Sequence, residues 1–396
     1  MARDTTTMAA AAAVVTVTAL PAFLTGALAV QMRPDLGFDE SGLGLVVATF
    51  FGTAALASVA GGHLAERLGP AASMRLSSVL AASSLAAVAV FDRSFGVLLL
   101  CVAVAGLSHA AAHPASSLFL ARTIDPRRLG LALGIKQSAV PASILLSGLA
   151  VPAIALTVGW RWAFAVGAAA SAALVALPPG GSGLRADPVT ATRRRTRETA
   201  LPPMLLLAVA AALAAAAVGS LGSFLVSSAV DSGIDPGHAG FLAAFGSATG
   251  ILMLVVLGVR ADRRGGDDLV VVIGVLAVGA SGFLLVATQE MVPVMIGALV
   301  AYLGWGWNGL FNLAVVRSNP AAPGAATGIT QTGVFVGAVG GPLLFGFVVD
   351  RWSYATAWLV SAALSLVAAA FVFAGRCLLR ADQDRRRKAD VVPSGR

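Results

Sequence analysis

Twelve apolar runs, each about 20 residues long, divide the sequence and constrain its fold more than any other feature. An α-helix rises 1.5 Å per residue, so about 20 residues cross the roughly 30 Å hydrocarbon core of a bilayer. A helix also satisfies its backbone hydrogen bonds internally, as a lipid environment demands. We therefore predict an all-α membrane protein with twelve transmembrane helices. The predicted spans are 8–30, 43–64, 74–91, 95–120, 129–157, 162–177, 203–226, 239–259, 269–287, 292–316, 325–349 and 355–373.

The composition does not fit an ordinary soluble protein. Hydrophobic residues make up 58% of the chain and charged residues only 12%, about half the charged share of a typical soluble domain. The net charge of +8 does not indicate nucleic-acid binding, because the basic residues lie in short segments between apolar runs. The two cysteines, Cys101 and Cys377, do not indicate a disulfide framework and belong to no Cys–His cluster. We expect no metal and no cofactor.

The distribution of basic residues predicts the orientation in the membrane. With the N-terminus inside, 22 of the 27 Lys and Arg residues fall on the cytoplasmic side and Lys136 falls within a span. This excess predicts that both termini are cytoplasmic. The first run is longer than the apolar core of about 7–15 residues in a cleaved signal peptide, and its removal would leave an odd number of spans. We therefore interpret it as the first transmembrane helix.

A hydrophilic segment rich in Pro, Gly and Arg lies halfway along the chain, with six predicted spans on each side. Such a composition is typical of a flexible linker. We predict an N-terminal six-helix bundle at 1–178, a cytoplasmic linker at 179–202, a C-terminal six-helix bundle at 203–376 and a cytoplasmic tail at 377–396. Two halves of six spans indicate an internal duplication.

Two motifs occur once in each half, in the same order and at nearly the same offset. Gly-x-x-x-acid-Arg-x-Gly follows both the second and the eighth span, 196 positions apart. Its defining residues are Gly62, Glu66, Arg67 and Gly69 in the first copy, and Gly258, Asp262, Arg263 and Gly265 in the second. Gly-Ile-x-Gln occurs in the fifth and the eleventh span, 194 positions apart, and contains Lys136 and Gln137 in the first copy and Gln331 in the second.

The first motif resembles the signature loop of the major facilitator superfamily, and the resemblance covers nearly the whole chain. It implies two pseudo-symmetric six-helix bundles that carry a solute by alternating access. In this family the acid–arginine pair is thought to latch the halves in the outward-open state, so we expect the eight motif residues to form conformational latch loops. The first copy departs from the pattern with Glu66 in place of Asp and with Pro70 where a basic residue is common. The alternative is an ordinary solvated turn.

Polar residues within the spans are the candidates for substrate and proton contacts, because charge inside a bilayer is costly and usually functional. Lys136 is the only cation well inside a predicted span, and no Asp or Glu lies well inside one. The polar and aromatic candidates are Lys136, His109, His113, Gln31, Gln137, Trp305, Asn308, Asn312 and Gln331. We expect an electropositive cavity for a small anion or zwitterion, in which Lys136 supplies the charge, His113 takes a coupling proton and Trp305 forms an apolar wall.

Each candidate also has a plainer interpretation. Lys136 would then extend towards the cytoplasm, with its ammonium group in water. His109 and His113 would form hydrogen bonds between helices, or hold a metal as an i, i+4 pair without a carboxylate. The tryptophans would face lipid or pack. A further set in the eleventh span resembles the glycine–proline motif that antiporters of the family carry in the fifth span, and we interpret it as close helix packing with a kink. Its members include Gly337, Gly341 and Pro342.

The leading interpretation is a proton-coupled secondary transporter for a small organic or inorganic anion, in a bacterial cytoplasmic membrane. The alternative is proton-driven export of drugs or metabolites, for which the missing intramembrane carboxylate disfavours cations but not neutral compounds. The sequence contains no Walker-type phosphate loop, nor the catalytic cluster that a membrane enzyme would require. A channel is less consistent with the duplicated loops. We expect no enzymatic activity, a monomer, and a solute, protons and lipid as the partners.

Overall fold

The computed structural model describes residues 2–91, 94–125, 128–176, 201–263, 267–319 and 323–391. Within these ranges the chain is helical apart from short turns and loops, and eleven helices are long and apolar enough to cross a membrane. The sixth helix of the first half is described over Trp160–Leu174 and completes twelve spans. The predicted all-α membrane fold of two six-helix bundles is thus confirmed.

The first half contains span 1 (Ala2–Ala27, with the short helix Ala29–Leu36 after it), span 2 (Glu40–Leu68), span 3 (Pro70–Phe91), span 4 (Phe95–Thr123), span 5 (Leu129–Gln137, Ala139–Ala150 and the π-helical turn Val151–Ala155) and span 6 (Trp160–Leu174). The second half contains span 7 (Leu201–Asp231), span 8 (Pro236–Arg263), span 9 (Asp268–Ala287), span 10 (Met291–Leu303, the 3-10 turn Gly304–Gly306 and Trp307–Ser318), span 11 (Pro323–Arg351) and span 12 (Tyr354–Val391).

Because the spans alternate in direction, the start of span 1 and the end of span 12 lie on the same side of the bundle, which we call the terminal side. The opposite side, which holds the connections after spans 1, 5, 7 and 11, is the distal side. The hydrogen bond from Arg128 Nη1 to Asp4 Oδ2 (3.3 Å) joins the starts of spans 5 and 1 on the terminal side, as this alternation requires.

The observed boundaries agree with the predicted spans to within several residues, but three differences bear on the site. Spans 5 and 10 are interrupted, at Ser138 and at Gly304–Gly306 respectively. Span 12 continues as one helix to Val391, so the segment predicted as a separate tail from 377 onwards is helical over most of its length. Most of the predicted linker, from 179 to 200, lies outside the described residues.

Spans 7 and 11 pack backbone to backbone along a stripe of small residues. A Cβ added at Gly337 would meet the carbonyl group of Ala212, and one added at Gly341 would meet the backbone of Ala216. Small residues allow such close approach, which supplies the van der Waals contact that holds helices together in lipid. This stripe therefore fixes span 11 against span 7 of its own half. The next residue after the stripe, Pro342, contacts span 2 of the other half.

The two halves meet on the distal side. A Cβ at Gly44 of span 2 would collide with the carbonyl oxygen of Pro342 in span 11, and one at Gly346 would collide with the backbone of Glu40. The backbones of Gly148 in span 5 and Gly240 in span 8 approach each other in the same way. These contacts leave little room between the halves on this side.

A polar cluster completes the closure on the distal side. The hydroxyl group of Tyr354 donates to Glu40 Oε1 (2.6 Å), and the same oxygen lies 2.5 Å from Arg33 Nη1. The backbone N–H of Ser41 donates to Asp350 Oδ2 (2.7 Å). We call these five residues the distal contact. Because Arg33, Glu40 and Ser41 belong to the first half and Asp350 and Tyr354 to the second, the distal contact holds the halves together.

Candidate functional site

A central cavity of about 480 Å³ lies between the halves. Phe23, near the distal end of span 1, lies at the end of the cavity that is nearest the distal contact. Residues of spans 1, 2, 4, 5, 7, 8, 10 and 11 line the cavity. Gln331, in the terminal half of span 11, lines the cavity and is solvent-exposed, so the cavity opens towards the terminal side. Its volume lies within the range of about 300–1,000 Å³ typical of small-molecule sites.

Lys136 lies on the cavity wall, in the first segment of span 5. Its side chain is buried, at 5% exposure, and Nζ donates to Ser117 Oγ of span 4 (2.7 Å). The plainer interpretation, in which the side chain extends into water, does not describe this conformation. A lysine ammonium group has three donors, so the bond to Ser117 leaves two for another acceptor.

His109 and His113 lie one turn apart on span 4 and also line the cavity, with ring centroids 4.8 Å apart. Thr18 of span 1 donates its hydroxyl proton to the carbonyl group of Val15 (2.9 Å) and lies 3.0 Å from His109 Nδ1. The direction of this hydrogen bond depends on the tautomer of the His109 ring.

The second half contributes aromatic rings and amides. Trp305 lies in the 3-10 turn of span 10, lines the cavity and stacks on Tyr302, with centroids 6.1 Å apart. Asn308 lines the cavity one turn further on, and its Oδ1 accepts from Asn312 Nδ2 (2.8 Å). Gln331 faces the same space from span 11. The cation therefore comes from one half of the protein, and the indole ring of Trp305 from the other.

The predicted candidates are not all brought together. The cavity is lined by Lys136, His109, His113, Gln137, Trp305, Asn308 and Gln331. Asn312 reaches it only through its hydrogen bond to Asn308. Gln31 lies beyond the end of span 1 on the distal side, where its Oε1 is buried and has no partner among the described residues. Gln31 is thus separated from the cavity by the closed distal side.

The latch-loop residues lie on the terminal side. Gly69 has a φ of +82°, a conformation that favours glycine and allows the tight turn between spans 2 and 3. Glu66 and Arg67 are exposed, and Glu66 Oε2 lies 3.7 Å from His63 Nδ1. In the second copy Gly258 and Arg263 are exposed. Gly62 is half-buried, and both the side chain of Asp262 and all of Gly265 lie outside the described residues.

A charged cluster next to the second latch loop escaped the sequence analysis. Asp267 Oδ2 accepts from Arg376 Nε (2.5 Å) and Arg380 Nη2 (2.6 Å), and Asp268 pairs with Arg317 (2.8 Å). Burial of Asp267 opposes its ionisation, but the hydrogen bond and charge of Arg376, together with the charge of Arg380, outweigh it and hold the pKa of Asp267 below its ordinary value. The sequence signal for this cluster is the acidic pair Asp267–Asp268 at the start of span 9.

Among the described residues, no three His, Cys, Asp or Glu side chains lie close enough together to hold a metal ion. The His109–His113 pair faces Lys136 instead of a carboxylate, and the described cavity lining contains no Asp or Glu. The arrangement is suited to holding a solute that contacts both halves.

Twelve spans in two repeated halves, with a central cavity closed on one side and open on the other, define a secondary transporter. The chain belongs to the Major Facilitator Superfamily, whose family model matches residues 7–317 and 207–393. The family that the repeated motif resembles is thus confirmed. The solute and the coupling ion are a separate question, because the family is defined by its fold.

The chain is similar to two uncharacterised MFS-type transporters from strains CDC 1551 and H37Rv of Mycobacterium tuberculosis, each 26% identical over 83% of this chain and 74% of the relative. Among solved structures it resembles a bacterial homologue of the lysosomal transporter Spinster in an inward-facing, unoccupied conformation (TM-score 0.74, 15% identity, 96% of this chain and 98% of the other). It also resembles a D-xylose–proton symporter (TM-score 0.73, 14% identity, 93% and 96%). At these identities the structures establish the shared fold alone.

Proposed function

We propose that this transporter moves a small organic or inorganic anion and couples that movement to protons. The observation that carries the proposal is Lys136, a buried ammonium group on the cavity wall whose described surroundings contain no carboxylate. A buried charge without a counter-charge is costly. An anionic substrate would supply the counter-charge when it occupies the cavity.

We place the coupling proton on His113. Its ring lines the cavity beside His109 and within the same polar region as Lys136, and imidazole gains or loses a proton near neutral pH in water. A proton arriving with the anion would offset its charge during the crossing. His109 is buried and hydrogen-bonded to Thr18, whereas His113 is only half-buried, so we expect a solute to reach His113 more readily.

Orientation and location form part of this proposal. The positive charge of the terminal-side loops makes that side cytoplasmic, so the cavity of this structure faces inward and both termini are cytoplasmic. We place the protein in a bacterial inner membrane, as a monomer. Reporter fusions at the C-terminus test the orientation: a fluorescent protein should fold and fluoresce there, whereas alkaline phosphatase should be inactive. The reverse result would invert the proposed direction of opening.

Binding is tested on the purified protein by thermal unfolding against a panel of anions, zwitterions and lipophilic cations. A ligand at 100 times its Kd stabilises the native state by about 2.7 kcal/mol, which gives a measurable shift. We expect an anion to stabilise the wild type and not Lys136→Ala. If neutral or cationic compounds alone stabilise both proteins equally, the anion proposal is wrong.

Coupling is tested in proteoliposomes with an anion that passes the binding test. We expect His113→Gln to abolish accumulation driven by a pH gradient while preserving exchange of labelled for unlabelled anion, because exchange needs binding but no net proton transfer. Accumulation at the wild-type level in His113→Gln would remove His113 from the coupling.

Export of neutral drugs or metabolites is the second candidate. Aromatic and aliphatic side chains form much of the cavity wall, including Phe23, Phe51, Trp305 and Phe335, and the proposed orientation opens the cavity to the cytoplasm. Such a site accepts apolar solutes by burial of their surface. The same unfolding panel decides between the candidates, because a neutral solute would not depend on Lys136.

A further inference from the structure

Resting on the proposed function, we infer that the anion is a carboxylate attached to a flat apolar ring, an aryl or arylalkyl monocarboxylate. The inference depends on the distribution of chemistry across the cavity, in which one cation stands in one half and an aromatic platform in the other. Neither feature alone selects this class of solute, but together they match its two ends.

The charged end is suited to a carboxylate. Lys136 Nζ has two donors left after its bond to Ser117, and the amide groups of Gln137 and Asn308 line the same cavity. The described lining contains no Arg, the residue that best matches phosphate by paired hydrogen bonds. One buried cation balances one negative charge, so a monoanion fits better than a dianion.

The aromatic platform is held rigidly by the interruption of span 10. A Cβ at Gly306 would meet the side chain of Met253, and one at Gly304 would meet the backbone of Gly279. The glycines on both sides of Trp305 therefore let the 3-10 turn lie directly against neighbouring spans, while Tyr302 stacks behind the indole ring. A ring fixed in this way offers a flat surface on which another ring can stack.

The rest of the cavity wall favours a solute with a sizeable apolar portion. Phe51, Val140, Val334 and Phe335 line it, and contact of these side chains with an apolar solute removes apolar surface from water. Acetate or phosphate would satisfy Lys136 but leave these walls in contact with water. A ring-bearing carboxylate covers both the cation and the walls.

The test measures binding of benzoate, phenylacetate and indole-3-acetate to the full chain in detergent, with acetate, phosphate and benzamide as comparison compounds. We expect the three aryl carboxylates to bind at least about tenfold more tightly than acetate or phosphate, since ring contacts add to the charged contact. Benzamide has the ring without the charge and should bind with an affinity that does not depend on Lys136.

Four variants separate the contributions. Lys136→Gln should weaken aryl carboxylates at least about tenfold, the loss expected for a hydrogen bond to a charged group. Trp305→Ala should weaken aryl carboxylates while leaving acetate unchanged, and Trp305→Phe should preserve ring binding if the fold is intact. Trp162, which is 60% exposed on span 6, provides the matched control, because Trp162→Ala removes the same side chain away from the cavity.

The outcomes distinguish this inference from the proposed function. If acetate or phosphate binds in a Lys136-dependent manner and the aryl carboxylates do not bind more tightly, the anion function stands and the ring-bearing substrate is wrong. Equal binding of aryl carboxylates to wild type and Trp305→Ala also overturns the inference. If no anion depends on Lys136, both the inference and the anion function are wrong.

Discussion

The distal contact gives the sharpest test of how this transporter changes state. In alternating access the distal side must open, and the hydrogen bond from Tyr354 to Glu40 joins the two halves there. Tyr354→Phe removes only the hydroxyl group and keeps the ring. Glu40 also retains its contact with Arg33, so the variant does not leave an unpaired buried carboxylate. The change therefore weakens closure without disrupting the fold.

The magnitude follows from the charge and burial of the contact. A hydrogen bond to a charged group contributes about 1.5–3 kcal/mol, and the retained Arg33 partner favours the lower end. Because opening of the distal side would break this bond, its removal should shift the equilibrium towards the open state by about tenfold at 1.5 kcal/mol. Solutes should accordingly reach the cavity more often from the distal side.

Distances between spin labels on the distal side measure this shift. Val158 and Met291 are 61% and 55% exposed on distal ends of opposite halves, so Val158→Cys and Met291→Cys provide labelling sites in a Cys377→Ser background. Cys101 is buried and can remain. We expect the longer-distance population to increase in Tyr354→Phe.

Tyr302 provides a matched control, because the chain has only two tyrosines and the buried hydroxyl group of Tyr302 has no partner among the described residues. Tyr302→Phe should leave the distance distribution unchanged. An unchanged distribution in Tyr354→Phe, or an equal change in both variants, would refute the assignment of this hydrogen bond to closure.

Three further predictions concern packing and charge. Gly337→Ala should lower the free energy of unfolding by about 1–3 kcal/mol, as overpacking does. Gly340→Ala is the control, because nothing lies within 4 Å of a Cβ added there. Thermal unfolding compares the two variants, and equal losses of stability would contradict the packing role of Gly337. Gly44→Val should reduce uptake in proteoliposomes with normal expression, since its side chain would collide with span 11, and wild-type uptake would show that this approach is not required. Asp267→Asn should lower the melting temperature at pH 7. The difference from wild type should shrink as the pH falls through the lowered pKa of Asp267, because protonation of Asp267 removes the same charge as the substitution. A difference in melting temperature that does not depend on pH would exclude the charge of Asp267 as its cause.

The sequence predicted the spans and the main polar residues of the cavity, because both depend on local properties of the chain. A run of apolar residues crosses lipid whatever its neighbours are. Lys136 and His113 were chosen because they are titratable residues within predicted spans, and both line the cavity. Their roles in binding and coupling remain predictions.

The partners of these residues depend on how the spans pack, which a single sequence does not disclose. Ser117 and Thr18 are ordinary small polar residues until packing places them beside Lys136 and His109. The distal contact joins Glu40 to Tyr354 across 314 positions. The interruption of span 10 escaped prediction because its glycines alternate with tryptophans within an otherwise apolar run, and tertiary packing decides such cases.

The backbone contacts on the distal side have a consequence for the energy of the cell. Gaps between helices can admit water, and chains of water molecules conduct protons. Where Gly44 and Gly346 bring backbones together, a water chain has no space. A membrane at 100 mV stores about 2.3 kcal/mol per elementary charge, and a transporter that leaked protons while idle would dissipate it. The glycines that let the halves approach this closely thus also leave less space for such a leak on the distal side.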